Sequence, residues 1–200
     1  GARMSALFEH VSRLYGEGHA EGALELFEDQ RLAGGEEFRP AAVLIALTER
    51  AEPGMLLLHR PSTMRAHPGQ IAFPGGGIDP GETPVEAALR EAHEELGIDP
   101  AQVRVIGASD VYKTHSGFEI TPVLAVVPPD IAIVPNPVEV AEWFEAPAGF
   151  VLDPVNHKQQ WVEWEGDMRA YNEIIWRTHN IWGITAALIV NLSRRLKWHD

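Results

Sequence analysis

One segment, residues 76–98, constrains the fold of this chain more than any other. It begins in a glycine-rich loop and continues into a helix with marked ends. Thr83 suits the N-cap, Pro84 suits the first helical position, and Glu86 completes a capping box. Gly97 follows the last turn, where a glycine commonly ends a helix. The segment therefore predicts a rigid unit of loop and helix.

This predicted helix carries a cluster of acidic residues. Glu91 and Glu95 lie one turn apart and Glu94 lies beside them, so all three project from one side. Like charges at this spacing destabilise a helix, and a bound Mg²⁺ or Mn²⁺ would offset the repulsion because these cations prefer oxygen ligands. A solvated acidic surface is the alternative, and the cluster alone favours neither. The preceding glycine carbonyls and Glu82 favour a cation, and Arg90 is placed to pair with Glu82.

The segment resembles the Nudix box of the Nudix hydrolases. Gly76 is followed after five residues by Glu82, and after seven more by Arg90 and the run R-E-A-H-E-E-L-G-I. The resemblance implies an α+β Nudix fold, an α/β/α sandwich with a mixed β-sheet. It implies Mg²⁺ or Mn²⁺ held by the following groups: Glu91, Glu94, Glu95 and a backbone carbonyl of Gly75 or Gly76. Glu82 and Arg90 belong to the same catalytic unit, and the reaction would be hydrolysis of a nucleoside diphosphate derivative.

The loop before the box carries a second signature, with Arg60, Arg65 and Gly69 before the run Phe73-Pro74-Gly75-Gly76. It resembles the coenzyme A pyrophosphatase branch of the Nudix enzymes. The resemblance implies cleavage of coenzyme A or a derivative into 3′,5′-ADP and 4′-phosphopantetheine, with Phe73 near the substrate. Arg60 and Arg65 suit phosphate binding because a guanidinium forms paired hydrogen bonds with phosphate oxygens. Either arginine could instead form a surface salt bridge, and His67 could contact phosphate or only cap the loop.

The general base is open between two glutamates. Glu139 begins a Glu-Val-Ala-Glu segment that resembles a later acidic position of the family, but it could equally be an acid at a strand edge. Glu95 could serve instead if Glu91 and Glu94 carry most of the metal binding. His93 occupies a variable position of the box and is expected to face solvent.

Two other functions compete with coenzyme A hydrolysis. The first is hydrolysis of ADP-ribose or another nucleoside diphosphate conjugate. The signature in residues 60–73 distinguishes coenzyme A hydrolysis from this alternative. The second is a Nudix-fold regulator that binds a nucleotide without turnover. The intact set of Glu91, Glu94 and Glu95 counts against a regulator, because such a protein does not need a self-repelling ligand cluster.

Composition limits the partners. The formal charge of −13 argues against nonspecific nucleic-acid binding. No apolar run approaches the length of a membrane span, and no signal peptide is expected, because the first residues lack a basic segment followed by a continuous apolar one. The absence of cysteine excludes disulfides and thiolate catalysis and is compatible with the cytoplasm. The tryptophans Trp161, Trp164, Trp176 and Trp182 are expected to pack in the core or an interface rather than to bind substrate, which suggests a homodimer.

The hydrophobic pattern predicts one domain over residues 1–200. Residues 1–3 precede Met4 and are expected to be a cloning remnant, and residues 4–40 form an N-terminal helical elaboration. Helices are expected at 5–15, around 23–27, at 84–96, and at 181–196 with Asn180 as its cap. Strands are expected at 42–47, 55–59, 70–73, 103–107, 118–127 and 140–144, with a hairpin of 160–164 and 169–175.

Overall fold

A computed structural model describes residues 6–20, 22, 26–32, 34, 37–63 and 69–200. Within these residues the chain forms four α-helices and twelve β-strands. The helices are α1 (Ala6–Ala20), α2 (Pro84–Leu96), α3 (Ala148–Val151) and α4 (Gly183–Leu196). The strands are β1 (Leu26–Glu28), β2 (Arg39–Thr48), β3 (Gly54–His59), β4 (Ile71–Ala72), β5 (Gly75–Gly77), β6 (Arg104–Ala108), β7 (Val111–Lys113), β8 (Phe118–Val127), β9 (Glu142–Pro147), β10 (Lys158–Trp164), β11 (Asp167–Trp176) and β12 (His179–Trp182).

A mixed sheet of nine strands forms the centre of the molecule. Its main path runs β1-β7-β8-β2-β3-β4, while β5 pairs with β2, β6 with β8, and β9 with β3. The two longest of these strands, β2 and β8, are parallel over ten residue pairs. The pairs β2–β3, β2–β5 and β3–β9 are antiparallel. The predicted mixed sheet is therefore present.

Helices cover both faces of this sheet. On β2, Ala42 and Leu44 pack toward α2, whereas Ile45 and Leu47 pack toward α1 and α4. The alternation follows from the two-residue period of a strand, and both sets are apolar because both faces are covered. The predicted α/β/α sandwich is confirmed.

A smaller sheet carries the C-terminal hairpin. The predicted hairpin is present as β10 and β11, and β12 adds a third antiparallel strand. The expected cap at Asn180 is wrong, because Asn180 pairs with Ile175 within this sheet. Helix α4 begins only at Gly183, whose φ of +64° turns the chain out of the strand. Strand pairing thus replaced the first turn of the predicted helix.

Two further predicted elements differ from the structure. The helix expected at residues 23–27 is wrong for its described part, since Leu26–Glu28 pairs in parallel with Val111–Lys113. Residues 23–25 lie outside the described part. The strand expected from Val140 begins instead at Glu142, because the amide of Val140 is bound in a turn by the carbonyl of Asn136.

A buried ion pair ties α4 to the rest of the fold. Arg195 donates to both carboxylate oxygens of Asp110, at 2.8 and 2.9 Å, and also reaches the carbonyl of Gly18 in α1. Asn191 donates to the same carboxylate at 2.6 Å. These bonds fix α4, whose N-terminal end lies beside the box loop. None of the described helices is long and apolar enough to span a bilayer.

Candidate active site

The helix α2 has the ends that the sequence predicts. The Thr83 hydroxyl accepts a hydrogen bond from the amide of Glu86, and the Glu86 carboxylate accepts one from the amide of Thr83, both at 3.1 Å. Gly97 closes the helix with a φ of +65° and its amide bound to the last turn. Small buried residues, Ala87, Ala88 and Ala92, let the helix approach the sheet closely. The acids of its third turn therefore stand beside β5.

Arg90 connects the box loop to the helix. Its guanidinium donates to Glu82 at 2.7 and 2.9 Å, to Glu91 at 2.9 Å, and to the carbonyl of Gly77 at 3.0 Å. The hydrogen bonds from the Arg90 guanidinium hold the pKa of Glu82 down to about 2, and the carboxylates of Glu82 and Glu91 raise the pKa of Arg90 above its usual range. It also lies 3.4 Å from Glu94. The predicted pairing with Glu82 is present, and the loop is held against the helix by it.

The glycines of β5 allow a carboxylate to approach the backbone. A methyl group on Gly76 would lie 2.7 Å from the carboxyl carbon of Glu91. On Gly75 it would collide with β2 at Ala42 and Val43. Only glycine therefore fits at either position without movement of a neighbour. Gly77, in contrast, has open space where a side chain would begin.

Glu95 is the most deeply buried acid of the box. It is 2% exposed, against 15% for Glu91 and 48% for Glu94. One carboxylate oxygen accepts a hydrogen bond from the amide of Gly75 at 3.4 Å, and the other, Oε2, has no partner among the described residues. Burial raises the pKa of Glu95 to about 8, although the charge of Arg60 opposes the shift.

Glu139 approaches the box from the loop before β9. Its charge adds to the upward pKa shifts of both Glu91 and Glu95, whose first cause is burial. Its Oε2 atom is buried and, within the described residues, lacks a hydrogen-bond partner. Glu139 is therefore not a plain acid at a strand edge. Two inward carboxylate oxygens, on Glu95 and Glu139, are left without a donor.

These unpartnered oxygens decide whether a cation fits. A buried carboxylate oxygen is costly without a proton, a donor or a cation, and hard divalent cations accept such ligands. Among the described residues, however, Glu91, Glu94 and Glu95 do not bring their oxygens within 4.8 Å of one another. Arg90 donates to both Glu91, at 2.9 Å, and Glu94, at 3.4 Å. Glu91, Glu95 and Glu139 do not meet the 4.8 Å distance either, so a cation would require the carboxylates to move toward it.

A cavity of about 230 Å³ opens beside β5. Arg60 lines it, and among the described residues this arginine forms no salt bridge with an acid. Phe73 is buried in the core but contributes to the cavity wall. The cavity lining includes Arg60, Gln70, Phe73, Gly75–Gly77, Phe118 and Thr185. Arg65 and His67 lie outside the described residues, so their predicted roles stay predictions.

Sequence reasoning did not anticipate two contributions to this cavity. The N-terminal turn of α4 supplies Ile184 and Thr185, and the Thr185 hydroxyl donates to the carbonyl of Ile71 at 2.8 Å. Arg39 lies near the lining, with its guanidinium 4.7 Å from the ring centre of Phe118. Neither belongs to a spaced motif. Only the parallel pairing of β2 with β8, which aligns Arg39 with Phe118, brings the arginine there.

A larger cavity of about 610 Å³ lies between the small sheet, β1 and α4. It contains no box residue, and its Arg31 is already paired with Asp29 at 2.7 Å. Of the tryptophans expected to pack in the core or an interface, Trp161 and Trp182 are 57% and 43% exposed, so these two do not belong to the core of the single chain. His93 is exposed, as predicted. The homodimer stays a prediction.

Comparison with known proteins identifies relatives over most of the chain. The family model described as NUDIX domain matches residues 37–164. A protein named "Uncharacterized Nudix hydrolase NudL" from Enterobacter sp. (strain 638) is 41% identical over 161 residues, which cover 79% of this chain and 83% of the relative. Its namesake from Photorhabdus laumondii is 36% identical over 160 residues, with coverages of 80% and 86%.

One solved structure covers a similar share of the chain. The protein DR0079 from Deinococcus radiodurans superimposes with a TM-score of 0.52 over 80% of this chain and 88% of that chain. The two sequences are 15% identical over this region. At that identity the likeness concerns the fold alone, and it agrees with the sandwich described above.

Proposed function

Because this chain belongs to the NUDIX domain family, we propose that it hydrolyses the diphosphate bond of coenzyme A and its derivatives. The products would be 3′,5′-ADP and 4′-phosphopantetheine or its acylated form. One observation supports the hydrolytic part of the proposal: Glu95, which contacts Gly75 of β5, and Glu139, which acts electrostatically on Glu95, each carry a buried carboxylate oxygen without a partner among the described residues. That arrangement suits a cation-assisted reaction of an anionic substrate.

The acids at this site would hold Mg²⁺ or Mn²⁺. Glu91 and Glu95 are the inner ligands, Glu94 can join them by turning away from Arg90, and Gly75 or Gly76 can offer a carbonyl oxygen. The cation supplies positive charge that offsets the charge of the diphosphate and of the attacking water. Arg90 donates to Glu91, whereas the contacts of Glu82 are with Arg90 and the amide of Asp79. Glu82 and Arg90 together hold the loop that carries the glycines.

Glu139 is our candidate for the general base. Its Oε2 atom is buried near Glu91 and Glu95 and has no donor among the described residues, so it can accept a proton from the attacking water. Glu95 is a weaker candidate, because its oxygen Oε1 already faces the amide of Gly75. The remaining oxygen of Glu95 is then free to bind the cation.

The choice of coenzyme A rests on the basic residues around the cavity. Arg60 faces the cavity and acts electrostatically on Glu95, so a phosphate bound there would lie between the arginine and the acids. Arg65 follows in the same loop and would bind a second phosphate, as the extra 3′-phosphate of coenzyme A requires. The cavity of about 230 Å³ is smaller than the roughly 300–1,000 Å³ of typical ligand sites. It would therefore enclose only one part of this extended substrate.

A hydrolysis panel tests the proposal. Coenzyme A, acetyl-coenzyme A, ADP-ribose and NADH would be incubated with the protein and Mg²⁺ or Mn²⁺, and the products separated by chromatography. We expect 3′,5′-ADP from the first two at a higher kcat/KM than any product from the last two. Faster cleavage of ADP-ribose would refute coenzyme A as the preferred substrate but would still support hydrolysis of a diphosphate bond. No cleavage of any of the four would favour the regulator that binds without turnover.

A further inference from the structure

Two histidines and a glutamate meet on the far side of the sheet from the box helix. His59 ends β3, Glu142 begins β9 as its cross-strand partner, and His179 begins β12. Nε2 of His59 lies 2.9 Å from Nδ1 of His179 and 3.3 Å from a carboxylate oxygen of Glu142. Within the described residues, this is the group of three potential ligands whose atoms all lie within 4.8 Å of one another.

The cluster is separate from the carboxylates of α2. Leu56 and Leu58 of β3 pack toward α2, so the alternation of the strand directs His59 to the opposite face. There its ring approaches Phe144, a residue of the core that packs under α4. The box acids and the histidine cluster thus occupy different faces of one sheet.

Each donor is held in place by the backbone or by ring stacking. The carbonyl of His59 accepts a hydrogen bond from the amide of Ala141, next to Glu142, at 2.8 Å. The His179 ring stacks on Phe144 with 3.7 Å between ring centres and 6° between the ring planes. Trp176 stacks on the outer side of the same group. All three ligand residues therefore belong to β-strands and not to loops.

A single hydrogen bond cannot link these three groups to one another. The Nε2 atom of a neutral His59 carries at most one proton, which it can direct to either His179 or Glu142. When the proton lies between the two histidines, the Glu142 carboxylate, which is 60% exposed, is left to solvent, and no single proton links all three atoms. A cation between them satisfies all three at once, because each donor then contributes a lone pair.

We infer that His59, Glu142 and His179 form a second metal site, for a borderline transition-metal ion of the Zn²⁺ type. Two imidazoles and one carboxylate suit Zn²⁺ and its neighbours, whereas Mg²⁺ and Mn²⁺ prefer the all-oxygen set of the box. Ligands about 2.0–2.1 Å from Zn²⁺ in a tetrahedron lie roughly 3.3 Å apart. The separations from His59 are 2.9 and 3.3 Å, and all three ligand atoms lie within 4.8 Å of one another, so the ligands surround a space of the size that such an ion needs after limited adjustment.

The site would join two parts of the fold. His59 and Glu142 belong to the nine-stranded sheet, and His179 belongs to the three-stranded sheet. The metal would therefore fasten the small sheet to the large one, and it would be stabilising because the unfolded chain lacks the site. Glu142 is 60% exposed, which leaves a path for the ion and an open coordination position for water.

Zinc binding by the full chain tests the inference. Equilibrium dialysis in excess Mg²⁺, which occupies the box, would compare Zn²⁺ bound per chain in the wild type and in His179→Asn. We expect the wild type to hold one more equivalent and its Tm to rise with Zn²⁺, while the variant shows neither effect. Glu142→Gln keeps both histidines and changes an exposed group, so it should fold and bind Zn²⁺ more than about tenfold more weakly.

Two controls make the outcome decisive. His10→Asn removes an exposed histidine of α1 and should leave zinc binding unchanged. Circular dichroism without zinc checks that each variant is folded. If His179→Asn is not folded, zinc binding by Glu142→Gln is the deciding measurement. Equal zinc stoichiometry and affinity in the wild type and in Glu142→Gln would overturn the site. Turnover with Mg²⁺ does not enter the readout, so the result is independent of the proposed hydrolysis.

Discussion

Arg90 binds the carboxylate of Glu82 through two parallel hydrogen bonds, Nε to Oε2 at 2.7 Å and Nη2 to Oε1 at 2.9 Å. The same Nη2 atom reaches the carbonyl of Gly77 at 3.0 Å. A bidentate pair of this kind is stronger and more directional than a single charged contact. It fixes the loop before α2 relative to the third turn of the helix, and so fixes β5 beside Glu91 and Glu95.

The Glu82–Arg90 pair makes stability depend on pH in acid. Arg90 lowers the pKa of Glu82 from 4.5 to about 2, so the carboxylate stabilises the fold fully above pH 4.5 and loses this effect as the pH falls toward 2. We expect Glu82→Gln to be less stable than the wild type at pH 7, with the difference shrinking across that interval. Urea unfolding at several pH values measures it. A difference that stays constant down to pH 3 would contradict the assignment.

The pKa of Glu95 shifts in the opposite direction from that of Glu82, so its effect on stability depends on pH in the opposite way. Burial raises its pKa to about 8, so the metal-free fold is most favoured below pH 4.5 and loses that advantage as the pH rises toward 8. Glu95→Gln should therefore stabilise the metal-free protein at pH 7, with little effect near pH 4. The same variant should lower kcat by about 100-fold or more, because a cation ligand is lost. A variant that is less stable than the wild type at pH 7 in chelator would disprove the predicted burial effect.

The box helix could be predicted from sequence because its ends are set locally. Thr83, Pro84, Glu86 and Gly97 act within one turn of the helix, and each occupies its expected position. The different burial of the box glutamates could not be predicted. Spacing places them on one side of a helix, and only packing against β5 decides that Glu95 is inside while Glu94 is at the edge.

Long-range pairing explains the other errors. Leu26–Glu28 is extended because it lies beside Val111–Lys113, and Asn180 is in a strand because it pairs with Ile175. The residues next to these segments in the sequence do not indicate which strand each segment pairs with. The meeting of His59 with His179 has the same cause, since 120 residues separate them. The box, by contrast, lies in one continuous segment and could be identified by its spacing.

Replacement of Glu139 tests the proposed base. Glu139→Gln keeps the shape of the side chain but cannot take a proton, so we expect kcat to fall by about 10²- to 10⁴-fold with little change in KM. Asp130→Asn changes an exposed acid in the loop between β8 and β9 and serves as the matched control. Equal kcat in both variants would exclude Glu139 as the base.

Arg60 should act through substrate binding. Arg60→Ala removes the charge that faces the cavity, and we expect kcat/KM for coenzyme A to fall by roughly 10- to 100-fold, the loss of one charged hydrogen bond or more. Arg60→Lys keeps the charge but cannot form the paired hydrogen bonds, so its kcat/KM should lie between those of the wild type and Arg60→Ala. Initial rates against substrate concentration separate KM from kcat. If Arg60→Ala matches the wild type in KM, the arginine does not bind the phosphate.

Alanine substitutions at two adjacent glycines, Gly76 and Gly77, distinguish displacement of Glu91 from the general effect of an added methyl group. A methyl group on Gly76 would lie 2.7 Å from the carboxyl carbon of Glu91 and force that side chain to move, whereas one on Gly77 would meet nothing within 4 Å. Because a ligand or base displaced by about 1 Å can cost about 100-fold in rate, Gly76→Ala should lower kcat/KM by that order. Gly77→Ala introduces the same methyl group into the same strand without displacing Glu91, so it should lose less activity than Gly76→Ala, although Gly77 also lines the cavity. Thermal melting would show whether both remain folded, and comparable activity in the two variants would mean that contact between Glu91 and Gly76 is not required for turnover.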